Sequence, residues 1–204
     1  MNDKNESNSI KIKPKIEYVV RKAKIEDIPI IREMIQELAE FQGMPDGPKI
    51  STEELIKDSG LNDKNQHQYF HSYIVEKINY NSMTIPMESE SSDMKLKRPL
   101  TQSVAIGYAL CFFSYSTWQG KSYFIEDIYI RPEYRKKGIG RLLLKEICKN
   151  AKNYECLRVD FHVLEWNPSR EFYEKMGAIN LTKLEKWNFY RLDAKTIDKI
   201  IEEN

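Results

Sequence analysis

The chain of 204 residues has no excess of either charge: 32 Lys and Arg stand against 31 Asp and Glu, for a formal net charge of +1. That balance excludes the global cationic face with which proteins hold DNA or an anionic bilayer, although a local basic cluster can still take a small polyanion. Neither nucleic acid nor membrane is an expected partner. No stretch approaches the roughly 18 apolar residues of a membrane span, and the opening MNDKNESNSIKIKPK has no apolar core of the kind a secretory signal needs. Cysteine is scarce too. Cys111, Cys148 and Cys156 make an odd count without metal-ligand spacing, each inside an apolar run, which argues for buried thiols in a reducing cytoplasm. His67 and His71 have no cysteine, histidine or carboxylate partner at metal spacing, so no metal is expected.

What the chain does have is one junction, SYFIEDIYIRPEYRKKGIGRLLLKEIC at 122–148. Tyr123, Phe124, Ile125, Ile128, Tyr129 and Ile130 read as an aromatic and β-branched strand that Pro132 stops, and Leu142, Leu143 and Ile147 recur with helical spacing. Between them lies Arg135-Lys136-Lys137-Gly138-Ile139-Gly140, followed by Arg141. Glycines let backbone approach a ligand closely, and the free N–H groups of a helix's first turn point at the same place. A phosphate there would meet amides, a favourable helix end and cationic side chains together. Taken alone, the same residues also fit a tight turn with a solvated basic face. The turn lacks a P-loop Lys-Ser/Thr pair and the GxGxxG spacing of a dinucleotide site.

In order, the chain predicts a polar, flexible tail at 1–15 and one domain over 16–204. It opens with a strand at 16–21 and a helix from 25–27 to about 41, with Ile28, Ile31, Met34, Ile35 and Leu38 on its core side. Gly43, Pro45, Gly47 and Pro48 then form a loop that fits the border of a cleft or a plain connection. Ser51 with Glu54 caps a short helix to about 59, and strands follow at 69–78 and 104–114. Residues 79–102 are too long for a hairpin loop and read as a flexible insertion. After a helix over 139–151, a strand at 156–164 is apolar on both sides, as in a parallel or mixed sheet covered by helices. Pro168 starts a helix with Phe172, Tyr173 and Met176 that stops at Gly177. Two final strands at 178–181 and 186–192 precede a charged helix. The fold class is α/β, a mixed sheet flanked by helices.

The sequence resembles the GNAT acetyltransferase superfamily, whose Arg135-x-x-Gly138-x-Gly140 pattern binds the pyrophosphate of acetyl-CoA. Within it, ELAEF at 37–41, KISTEEL at 49–55, YSTWQGKSYFIEDIYIRPEYRKKGIG at 115–140 and EWN at 165–167 look like the diamine branch of spermidine/spermine and thialysine N-acetyltransferases. The resemblance implies the acyl-CoA N-acyltransferase fold, with splayed parallel strands around the cofactor, and transfer from acetyl-CoA to a small diamine, polyamine or thialysine-like amine. It implies Glu126 as the carboxylate that takes the amine proton and Tyr173 as the acid beside the departing sulfur. Ile128, Ile130, residues Arg135, Lys136, Lys137, Gly138, Ile139, Gly140 and Arg141, and Asn167 fall on the cofactor side; Trp118, Asp127 and Glu185 fall on the amine side. A homodimer through the C-terminal elements is also implied. Gln42 stands where relatives are acidic, Ser116 where the spermidine/spermine branch has Asp, and six steps separate Asn167 from Tyr173 where seven are usual. Protein lysine or N-terminal acetylation, and an acyl-CoA sensor without turnover, are the competing readings.

For the chemistry, an alkyl amine with a pKa near 10.4 is almost wholly protonated at neutral pH. Glu126 is expected to remove that proton with its own pKa raised by desolvation or by Asp127 beside it.

Overall fold

The computed structural model describes residues 10–11, 15–63, 65–80, 84–85 and 101–203. Met1–His162 form one compact unit and Val163–Asn204 a second. The first unit carries β1 (Ile10–Lys11), β2 (Lys15–Lys22), α1 (Ile28–Phe41), α2 (Thr52–Ser59), β3 (His71–Tyr80), β4 (Thr84–Ile85), β5 (Thr101–Ser116), β6 (Gly120–Ile130), α3 (Ile139–Asn153) and β7 (Arg158–Phe161). Its main sheet has the order β2-β3-β5-β6-β7, antiparallel except for the parallel pair β6 and β7. A parallel pair needs a crossover, and α3 supplies it.

One face of the sheet packs on α1 and α2. Ile28, Ile31, Met34 and Leu38 recur at helical spacing and meet Leu55, Ile74, Tyr108, Leu110 and Tyr129. Ser51 starts α2 by accepting from Glu54 N–H while Glu54 accepts from Ser51 N–H, the reciprocal cap that the sequence predicts. Arg21, at the end of β2, donates to both Asp27 and Glu76 at 2.6–3.0 Å, which fixes the turn before α1 against β3. In α3, Ile139, Leu143, Leu144, Ile147 and Ala151 are buried.

Of the expected tail and insertion, residues 1–9, 12–14, 81–83 and 86–100 lie outside the described residues; β1 pairs antiparallel with β4. The sheet reaches further than its sequence pattern, since Tyr80 pairs with both Lys15 and Thr101.

Two expectations need correction. The strand expected over 156–164 is only Arg158–Phe161, and none of its residues is fully buried. It has β6 on one side and no other strand among the described residues, and its charged members Arg158 and Asp160 pair with one another at 2.8 Å while Asp160 accepts from buried Ser122 at 2.6 Å. The second unit holds α4 (Ser169–Lys175), α5 (Leu181–Glu185) and α6 (Ala194–Glu202), in place of the two strands expected at 178–181 and 186–192. Asn180 caps α5 by accepting from Lys183 N–H, and Lys186 ends it in a left-handed conformation (φ +58°). The alternating 186–192 segment has the pattern of a strand, but a strand requires a neighbour to pair with, and the described residues offer it none.

Beside α3 a polar cluster is built into the apolar packing. His71 Nδ1 lies 2.9 Å from Tyr123 Oη, which lies 2.9 Å from Tyr73 Oη. The imidazole stacks on Tyr154, whose hydroxyl accepts from Lys22 at 3.0 Å, and meets the edge of Phe113. Burial, and secondarily the Lys22 charge, lower the His71 pKa. The unfolded chain therefore binds this proton more readily than the folded one. Stability from His71 is complete above its ordinary value of about 6.5 and falls as pH drops below it toward the lowered folded value. Thermal midpoints of the wild type should decline on acidification through that window, while His71→Asn should show a flatter profile there. Parallel profiles would refute the assignment.

Candidate active site

β6 is regular up to Ile125, which pairs with Cys111, and regular again from Asp127, which pairs with Leu110; Glu126 between them is an extra residue in a bulge. A bulge of this kind bends the strand and re-aims a side chain. Glu126 is exposed, while Asp127 is largely enclosed and accepts from the Tyr108 hydroxyl at 2.9 Å. Burial pushes the Asp127 carboxyl above the ordinary aspartate range, the Tyr108 hydrogen bond opposes the rise, and the Glu126 charge adds to it. The desolvated carboxyl of the pair is therefore Asp127, contrary to the expectation that desolvation acts on Glu126. The reason is register: the bulge leaves Glu126 outside the alternation that carries Asp127 to the α1 face.

Past Ile125 β6 parts from β7. The parallel pairing runs from Ser122 with Arg158 to Ile125 with Phe161 and goes no further, while β5 stays paired to β6 as far as Ile130. Among the described residues no strand pairs with the β7 side of Glu126–Ile130, an edge that carries the backbone groups of Ile128 and the N–H of Ile130, whose carbonyl accepts from Arg135. The chain then makes a 3-10 turn at Pro132–Tyr134 and passes Lys136 (φ +59°) and Gly138 (φ +78°) into α3. Gly138 is the N-cap of α3 and supplies no side-chain acceptor to its first turn. A Cβ built on Gly138 would meet nothing within 4 Å, so there is open space beside the residue that starts α3. These features fit an anion seated at the helix end with an extended arm along β6.

The cationic side chains divide differently from the sequence expectation. Arg135 Nε donates to Ile130 O at 2.8 Å and its guanidinium stands over Phe41 and Tyr129; Lys137 Nζ donates to Glu133 O at 2.9 Å. Lys136 and Arg141 are exposed.

The structure brings Glu126, Asp127, Ile128, Ile130 and residues 135–141 into one continuous strand, turn and helix. Trp118 is not among them. It is 83% exposed in the β5–β6 hairpin turn, and the six-residue rise from Gly120 to Glu126 places the turn roughly 20 Å from the bulge. Ser116 Oγ accepts from Trp118 N–H and Gln119 N–H at 3.2 and 3.3 Å, so this hydroxyl organises the hairpin turn. In the second unit Asn167 Oδ1 accepts from Ser169 N–H at 2.9 Å at the start of α4, Glu185 accepts from Trp187 Nε1 at 2.8 Å, and Tyr173 is buried beside Phe172. Burial pushes the Tyr173 phenol up to about 12, which keeps it protonated at neutral pH.

Residues 95–178 match the model of the acetyltransferase (GNAT) family. The chain is 33% identical over 183 residues to the thialysine N-ε-acetyltransferase of Sus scrofa, covering 89% of this chain and 96% of that protein. The chain belongs to the GNAT acetyltransferase family. A human spermidine/spermine N(1)-acetyltransferase-like protein 1 is 28% identical over 88% of this chain and 23% of its own length. Among solved structures, AAC(6′)-Iy with a CoA bisubstrate analogue superposes with a TM-score of 0.59 at 16% identity, over 87% of this chain and 99% of that one, which shows the shared fold. For a GNAT acetyltransferase the co-substrate is acetyl-CoA, and this edge of β6 and the amide cradle of α3 are the parts of this chain that fit its extended arm and its phosphates.

Tyr108, which holds Asp127, and Arg131, which binds Glu33 and Glu37 of α1, escape sequence reasoning because their partners are distant in the chain. The spacing of Glu33, Glu37 and Phe41, one every four residues, is the trace they leave. Among the described residues no group of His, Cys, Asp or Glu is placed to hold a metal, and no helix is long and apolar enough to cross a membrane.

Proposed function

We propose that the protein transfers the acetyl group of acetyl-CoA to a primary amine of a small diamine, polyamine or thialysine-like acceptor by direct attack in a ternary complex. The observation that carries this reading is the bulge of β6, which presents an exposed carboxylate and a half-buried one side by side where the strand leads into the amide cradle. When bound, acetyl-CoA supplies a thioester carbonyl open to attack by an amine. Glu126 takes the ammonium proton, directly or through water, and with Asp127 draws the cationic acceptor to the bulge. The backbone of Ile128 and Ile130 holds the arm of the co-substrate, and a strand N–H faces the developing oxyanion. The amides of residues 136–141, with Lys136 and Arg141, hold the phosphates. Within the second unit, Asn167 orders the start of α4 and burial keeps Tyr173 protonated.

The acceptor class is supported by relatives named for thialysine, spermidine/spermine and, at 34% identity over 57% of this chain, L-ornithine. A homodimer built on the second unit is supported by its exposed Trp187, Phe189, Tyr190, Leu192, Ile197 and Ile201. A reducing, cytoplasmic setting is supported by three free thiols. The test is a steady-state screen with acetyl-CoA against thialysine, lysine, a short diamine, putrescine, spermidine and a histone-like peptide. Small amines should lead in kcat/KM. Preference for the peptide, or binding of acetyl-CoA with no product from any acceptor, would overturn the proposal.

A further inference from the structure

Arg131 and Arg135 bracket the 3-10 turn that leads into the cradle, and both side chains run to α1. Arg131 Nη2 donates to Glu33 and Glu37 at 2.7 Å each, its Nε shares both Glu37 oxygens at 3.1 and 3.2 Å, and its Nη1 donates to Ala105 O at 3.3 Å. Arg135 places its guanidinium carbon 4.7 Å from the Phe41 ring centroid and 5.5 Å from that of Tyr129, while its Nε closes on Ile130 O at 2.8 Å. Residues four apart share one stripe of a helix, so Glu33, Glu37 and Phe41 form a rail on α1 that the two arginines grip in succession. The guanidinium needs this geometry: its plane lies over a ring while its Nε–H reaches a carbonyl, which a lysine ammonium cannot reproduce.

We propose that Arg135 is a positioning residue that acts on co-substrate binding through Phe41 and the Ile130 carbonyl, by holding the turn so that the amides of residues 136–141 are fixed in advance, and that it is not itself a phosphate ligand. The inference rests on reading residues 135–141 as the co-substrate's anion cradle. A phosphate ligand would tolerate lysine, which supplies a point charge; a positioning arginine does not.

The experiment is calorimetric binding of CoA to the full chain, as wild type, Phe41→Leu, Phe41→Trp, Arg135→Lys and the Phe41→Leu/Arg135→Lys double variant, at two salt concentrations, with thermal melts to establish that each variant folds. Phe41→Leu should weaken CoA binding about three- to tenfold, the scale of one partly exposed cation–π contact. Arg135→Lys should do the same, and the double variant should be no worse than the weaker single. Phe41→Trp should restore wild-type affinity. Because Phe41→Leu removes no charge, its salt dependence should match the wild type. The proposal is overturned if Phe41→Leu binds CoA normally while Arg135→Lys does not, if the two losses multiply, or if the tryptophan fails to restore binding. Failure of the wild type to bind CoA at all would instead remove the cradle reading on which the proposal stands.

Discussion

Glu126→Gln should lower kcat/KM for the amine by about 10²-fold or more at pH 7.5, the usual scale of general-base catalysis, while CoA binding stays near the wild type. Glutamine keeps the length and hydrogen-bonding reach of the side chain and removes only the capacity to accept the proton. The deficit should narrow as pH rises, because the free-amine fraction of an alkylammonium acceptor grows tenfold per pH unit below its pKa of about 10.4. Asp127→Asn is the informative companion. Asp127 is half-buried and hydrogen-bonded by Tyr108, so its loss should raise KM for the amine and disturb the sheet locally more than it lowers kcat. Near-normal turnover in Glu126→Gln together with a hundredfold loss in Asp127→Asn would move the proton-accepting role to Asp127.

The largest effect on stability should come from a residue with no side chain. Gly107 of β5 pairs with Ile130, and a Cβ there would stand 2.6 Å from the Tyr129 carbonyl oxygen and 2.5 Å from Ile130 Cδ1. The Ile130 methyl can swing away. The carbonyl belongs to the strand itself and cannot yield without moving β6. Gly107→Ala should therefore destabilise the protein by about 2–3 kcal/mol, the range of overpacked cores, read as a lower urea midpoint at unchanged slope. It should also weaken CoA, because Ile130 belongs to the edge of β6 that faces the co-substrate's arm and its carbonyl anchors Arg135. A midpoint equivalent to less than about 0.5 kcal/mol of loss, within the range of inconsequential surface changes, would show that β5 and β6 separate there without cost.

The β6–turn–α3 junction is legible in the sequence because everything that defines it is local. Strand periodicity, Pro132, Gly138 and the apolar spacing of Leu143 and Ile147 all lie within one stretch, and α2 announces itself through Ser51 and Glu54 alone. What escapes is whatever depends on a partner elsewhere in the chain. Glu126 and Asp127 are adjacent carboxylates of one strand, and only the register of β6 against β5 decides which is the more enclosed. Arg135 sits inside a phosphate-binding pattern and is engaged by Phe41, 94 positions earlier. The alternating residues of 186–192 carry a strand's pattern without a strand's partner. Resemblance to a family names the candidate residues, but their burial and engagement are tertiary facts.

Glu126 is also supernumerary in the sheet. With it removed from the count, Ile125 and Asp127 would follow one another as ordinary neighbours on opposite faces, and every side chain from Ile128 to Ile130 would keep the face it now occupies. The carboxylate assigned to the chemistry thus occupies a place the architecture leaves unassigned, so its identity can change without rewriting the hydrophobic code on either side of the strand.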